Sequence, residues 1–193
     1  MDFLNAIILI SNFIIVPAIT YGSQLALGAI GVTLIYGVLR FANFAYGDLM
    51  AFGTMIVILF TWYLQSKGIT FGLLPTALLA LPIGILFTIA ISLFFDKTVF
   101  EYYREKKSNP VTFIVVSLGI MFVLNAVVRI IIGPNDINFM DGHKFIMKAR
   151  EFKQLTGLNE GLAIKSTQVI TLITTIITCS LLFYFLNKTK TGK

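Results

Sequence analysis

Arg40, Asn43 and Asp48 stand among apolar residues in the stretch from Gly22 to Gly53, which reads GSQLALGAIGVTLIYGVLRFANFAYGDLMAFG. A carboxylate at bilayer depth costs about 2.5–3.5 kcal/mol even on lenient insertion scales, so such groups face protein, water or an opposite charge rather than lipid. Interrupted helices around polar residues are where membrane transporters build their solute paths. The spacing therefore points to a broken or re-entrant segment near residues 40–48. A second reading of the same residues is a short interfacial turn between two spans, with Arg40 and Asp48 solvated. Small residues at Gly22, Ala26, Gly28, Ala29, Gly31 and Gly37 lead into the segment, at a density that lets neighbouring helices approach closely.

Further along, Asn125 and Arg129 lie four residues apart in an apolar block. Arg129 is placed to snorkel to an interface, and Asn125 to face another helix. Thr167, Thr171, Thr174 and Thr178, with Thr175 beside them, share one helical face. Their hydroxyls can bond their own helix backbone, which favours a packing face over a solute-lining one. Cys179 is the single cysteine and His143 the single histidine; neither has the company a metal site requires, and no disulfide within the chain is possible. Asn187 stands where a nucleotide-binding glycine-lysine loop ending at Gly192-Lys193 would need glycine. No zinc-protease, nucleophile-elbow or serine–histidine pattern is present. Covalent chemistry is not expected, nor is a cofactor held by this chain.

The elements that position these residues are membrane helices. The 193 residues are 57% hydrophobic and 12% charged, far too apolar for a soluble domain of this size. Apolar residues come in blocks rather than helical stripes or strand alternation, which excludes amphipathic bundles and membrane barrels. Six blocks, at about 3–19, 22–39, 49–64, 73–95, 111–132 and 166–186, predict an all-α polytopic bundle of about six spans in a single domain over 1–193. The net charge of +6 is no signal for nucleic acid, because basic residues gather at span ends, as membrane orientation requires. The first block lacks a basic start and a cleavage motif and reads as a retained span. Pro75 suits a first helical turn and Pro82 should kink the fourth block. Lys97, Arg104, Lys106 and Lys107 in one short segment, and Lys188, Lys190 and Lys193 in the tail, predict that both segments are cytoplasmic; with six spans both termini are too. Short connections near Thr20–Tyr21 and Gln65–Gly72 then fall outside. So does the polar segment 133–165, with turn chemistry at Gly133–Asp136 and Asp141–Gly142 and room for a short helix or hairpin.

A family resemblance adds to this reading. Gly22-Ser23, Ala26-Leu27, Ala29-Ile30-Gly31 and Tyr36-Gly37 lead to Asn43-Phe44-Ala45-Tyr46-Gly47-Asp48. This run closely resembles the branched-chain amino acid permease subunits of bacterial ABC importers, whose signature is Asn-Phe-Ala-His-Gly followed by Glu or Asp. Tyr46 stands in place of the usual histidine, and Arg40 is larger than the small residue usual nearby. Asp96-Lys97, Tyr103-Arg104, Ser117-Leu118-Gly119, Leu124-Asn125, Gly133-Pro134 and Thr191-Gly192-Lys193 extend the similarity over nearly the whole chain.

The resemblance implies a permease subunit that passes branched-chain or related amino acids inward across the bacterial inner membrane. A periplasmic amino-acid-binding protein would deliver the solute, cytoplasmic ATP-binding subunits would supply energy, and a second permease subunit would complete the path. Asn43, Tyr46, Asp48 and Asn125 are the expected pathway residues, with Gly22, Gly31, Gly37 and Gly47 as helix-packing positions. The resemblance also implies an ATPase-docking loop and further spans beyond Lys193. The alternatives are a secondary transporter or channel for a small polar solute, and a membrane assembly subunit that transports nothing.

Overall fold

The computed structural model describes residues 2–70, 74–135, 139, 141, 145–158 and 160–188. His143 and the run Thr191–Lys193 lie outside the described residues. The chain is nearly all helical. Among the described residues, five helices are long and apolar enough to cross a membrane: Phe3–Leu39, Tyr46–Ser66, Ala77–Glu105, Pro110–Ile132 and Ser166–Lys188.

The first two apolar blocks form a single helical rod. Helix α1 (Asp2–Ile10) passes through one π-helical turn (Ser11–Ile15) into α2 (Val16–Leu39). The connection expected at Thr20–Tyr21 is absent because its polar groups are satisfied without a turn. The Thr20 hydroxyl donates to the Val16 carbonyl at 2.8 Å, and Ser23 donates to Thr20 at 2.7 Å. Such back-bonding lets short polar residues sit inside a helix. Pro17 is the second residue after the π turn, next to where the helix has already given up its regular bonding.

Contacts divide the chain into two compact units, Met1–Ile30 with Gly142–Lys193, and Gly31–Asp141. In the first unit, β1 (Phe145–Met147) pairs antiparallel with β2 (Ile164–Lys165), and α7 (Ala149–Thr156) lies between them in sequence. Segment 133–165 thus contains both a helix and a strand pair. Asn12 binds the following strap on two sides. Its Nδ2 donates to the Gly161 carbonyl at 2.6 Å and its Oδ1 accepts from the Ala163 N–H at 2.9 Å. Asn5 Oδ1 accepts from the Glu160 N–H. Helix α8 (Ser166–Lys188) closes the unit. Thr171, Thr174 and Thr175 bond back to carbonyls of their own helix.

The second unit holds the core. Helix α3 (Tyr46–Ser66) packs antiparallel on α4 (Ala77–Phe95), and glycines set the spacing. A side chain on Gly84 would meet Val57 and, at 3.2 Å, the Gly53 carbonyl oxygen; one on Gly53 would meet Thr88. Helix α4 runs on through Pro82 and continues by a π turn (Asp96–Phe100) into α5 (Glu101–Glu105). Helix α6 (Pro110–Ile132) starts on proline and stops at Gly133, where φ is 107°, in keeping with the end preferences of helices. Asp141 joins the far ends of α3 and α4. One carboxylate oxygen accepts from the Ala77 N–H at 2.6 Å and the other from Gln65 Nε2 at 2.8 Å. It thereby caps the helix that Pro75 and Thr76 lead into.

Candidate functional site

Between α2 and α3 the chain leaves helical geometry over residues 40–45, and this break lies beside the middle of α6. Phe41 and Ala45 are buried in one cluster with Phe100, Ile120 and Leu124. Phe41 stacks on Phe113, with ring centres 5.2 Å apart, and tilts against Phe100 at 5.8 Å. Irregular backbone packed among membrane helices is tolerated where protein supplies the missing hydrogen bonds, and between these two spans it does. The Phe44 N–H donates to Ser117 Oγ at 3.1 Å, while that hydroxyl donates to the Ile114 carbonyl. The Ala45 N–H donates to the side-chain oxygen of Asn43 at 3.1 Å, the local bond by which asparagine forms turns.

Arg40 ends α2 with φ of 61°, its N–H donating to the Tyr36 carbonyl at 2.9 Å. This left-handed conformation costs a residue with a side chain roughly 1–2 kcal/mol. Glycine fills the positive-φ positions at Gly68, Gly133 and Gly157.

Asp48 sits in the first turn of α3, where a carboxylate complements the exposed N–H groups of a helix start. Its Oδ1 accepts from Asn125 Nδ2 at 3.0 Å, and Asn125 Oδ1 accepts from Arg129 Nε at 2.8 Å. A carboxylate only accepts and a guanidinium only donates. The Asn125 amide therefore has one usable orientation, and it links opposite charges on two helices. Arg129, exposed one turn from the end of α6, completes the chain. Asp48 pairs with α6 rather than with Arg40.

The ring of Tyr46 occupies the space a side chain on Gly31 would need, so these two residues seat the start of α3 against α2. Tyr46 also borders a cleft of about 370 Å³ with Val32, Ile35, Tyr36, Asn43 and Gly47. Of the other glycines expected to pack helices, Gly22, Gly37 and Gly47 face open space where a side chain would stand. Among the described helical glycines the close approaches are at Gly31, Gly53 and Gly84, and outside the helices Gly161 lies against the Ala149 backbone. Sequence reasoning passed over Ser117 and Asp141 as partners, since neither spacing nor residue type shows which distant backbone they reach. The buried position of Ser117 in an apolar helix was the available signal.

A comparison with family models matches residues 14–193 to the branched-chain amino acid transport system, permease component. The match covers most of the chain. The chain belongs to this family. It is a multi-pass membrane protein of a transport system, and the resemblance carried by Asn43–Asp48 is sound. Neither the comparison with curated proteins nor that with solved structures returns a match. Within the permease chain, the signature residues divide their work. Asn43 shapes the break, Ala45 anchors it in the core, Tyr46 seats it on α2, and Asp48 ties it to α6.

Proposed function

We propose that the chain is the membrane subunit of an ABC importer and that branched-chain or related amino acids pass by the break at residues 40–45. The observation that carries this reading is a helix interruption packed inside a helical unit, with polar groups gathered on it. The adjoining cleft combines apolar Val32 and Ile35 with the Asn43 amide and the Tyr36 and Tyr46 rings. Its volume lies within the range of small-molecule sites, and its lining suits a solute with an apolar side chain and a hydrogen-bonding head. ATP is held by partner subunits in this reading. A periplasmic binding protein delivers the solute, and a second permease subunit completes the path.

The test is ATP-driven uptake into vesicles carrying the complete importer. Asp48→Leu should lower uptake at least about ten-fold while the protein still inserts, because the Asn125 amide loses its acceptor and Arg129 the opposite charge at the end of the chain. Asp48→Asn keeps an acceptor oxygen and should lose less. Full uptake by the leucine variant would remove Asp48 from the path.

Orientation changes with the number of crossings. Keeping the basic segment at 97–107 and the C-terminal end of α8 cytoplasmic, five crossings place the N-terminus outside, whereas six would have placed it inside. In a Cys179→Ser background, Leu4→Cys and Lys153→Cys should be labelled by an impermeant thiol reagent from outside, and Glu105→Cys only after permeabilisation. Labelling of positions 4 and 105 from the same side would refute the five-crossing arrangement.

A further inference from the structure

We propose that a second cavity, bounded by the end of α2, the α4–α5 helix and the start of α6, binds an anionic phospholipid whose phosphate is held by Arg40 and Arg104. The cavity encloses about 720 Å³. Its walls are largely apolar, with Leu34, Leu39, Leu93, Phe100 and Phe113 among them, and they are of a kind that accepts an acyl chain. Ile35 and Asn43 border both this cavity and the smaller cleft, so the break forms a wall between two spaces of different character.

The charges select the head group. Arg104 donates to Asp96 at 2.7 Å, and both side chains remain about half exposed. Arg40 lines the same cavity, and beyond its backbone bond to Tyr36 its guanidinium has no hydrogen-bond or ion-pair partner among the described residues. Two guanidinium groups against one carboxylate leave one positive charge, which complements a phosphate diester. Guanidinium also offers the paired donors that phosphate oxygens accept.

The backbone gives an independent reason. Arg40 holds a left-handed position of the kind that glycine fills at Gly68 and Gly157, and Lys107 is the other described residue with a side chain at positive φ. Glycine would make this turn without strain, so the arginine side chain is carried into the cavity at a backbone cost that glycine would avoid. Basic residues on the neighbouring segment, Lys97, Lys106 and Lys107, would enrich anionic lipid at this end of the helices. The proposal is independent of which solute the chain transports.

The experiment uses the full chain in mild detergent, stripped of lipid. Binding of phosphatidylglycerol, phosphatidylcholine and inorganic phosphate is followed by native mass spectrometry and by the thermal midpoint. Phosphatidylglycerol should bind roughly ten-fold more tightly than phosphatidylcholine, as expected for a charge-assisted phosphate contact without a compensating cation on the lipid. Arg40→Gly should abolish that preference without lowering the midpoint of the lipid-free protein, because glycine takes the same turn. Arg40→Lys should keep part of it. Arg104→Gln provides a second route to the same loss if the glycine variant does not fold.

Equal binding of the two lipids, or a preference that survives both Arg40→Gly and Arg104→Gln, would overturn the proposal. Protection by inorganic phosphate alone equal to that by phosphatidylglycerol would make this a free-anion site and overturn the lipid assignment. Displacement of the lipid by leucine would assign the cavity to the solute path, with the same consequence.

Discussion

In the unit formed by residues 1–30 and 142–193, helix amides hold chain that runs outside the helices, whereas in residues 31–141 polar side chains hold a gap within the helical path itself. Asn12 grips Gly161 and Ala163 in the first unit. The described residues of α1 and α2 that belong to it are partly or fully exposed. Ser117 and Asn125 do the corresponding work in the second, beside buried Phe41, Ala45, Ile120 and Leu124. The chemistry is similar but its consequences differ. Gly161 is buried and Ala163 half-buried, but the strap lies outside the helices, so losing its bonds can open it locally. The bonds made by Ser117 and Asn125 are likewise part-buried, but they tie α3 and the turn before it to α6, so losing one weakens the packing of the unit.

This contrast can be attacked from its strongest point downwards. Gly84→Leu should have the largest effect, because the added side chain meets Val57 and the Gly53 carbonyl in the α3–α4 interface. Overpacking costs about 1–3 kcal/mol and occasionally more, so loss of a cooperative thermal transition in detergent is expected. A midpoint close to that of the parent would mean that α3 and α4 are not held at glycine spacing.

Ser117→Ala comes next. It leaves the Phe44 N–H without its acceptor at a cost of about 1–3 kcal/mol, read as a lowered midpoint and faster hydrogen exchange at residues 41–46. Exchange in the 160–163 strap should not change. A coupled response there would break the distinction between the two units.

Asn12→Leu is expected to act least on the whole protein. It removes both of Asn12's part-buried strap bonds, each of a usual net worth of about 0.5–1.5 kcal/mol, in a segment that can open locally. Exchange at residues 161–163 should rise while that at 41–46 stays as it was. If the midpoint falls as far as in Ser117→Ala, the strap is part of the core after all.

Much of this molecule was legible without a structure. Long apolar blocks with few charges leave membrane helices as the one outcome in which backbone groups are satisfied in lipid, and that reasoning is local. The charged and amide groups among apolar residues near 40–48 marked an interruption for the same reason. The Asn43–Asp48 run carried the family, which the match over residues 14–193 supports. Periodicity could not tell one long helix from two short ones at Thr20–Ser23, since the choice turned on hydroxyls bonding back to Val16 and Thr20.

Partnerships were beyond reach because they join residues far apart in the chain. Asp48 and Asn125 are 77 positions apart, Phe44 and Ser117 are 73, and Ala77 and Asp141 are 64. The sequence by itself therefore settled that this chain lives in a membrane and that polar groups gather near residues 40–48. Tertiary structure alone decided which groups make the interruption tolerable, since a polar atom's cost or benefit in an apolar medium depends on the one partner that reaches it.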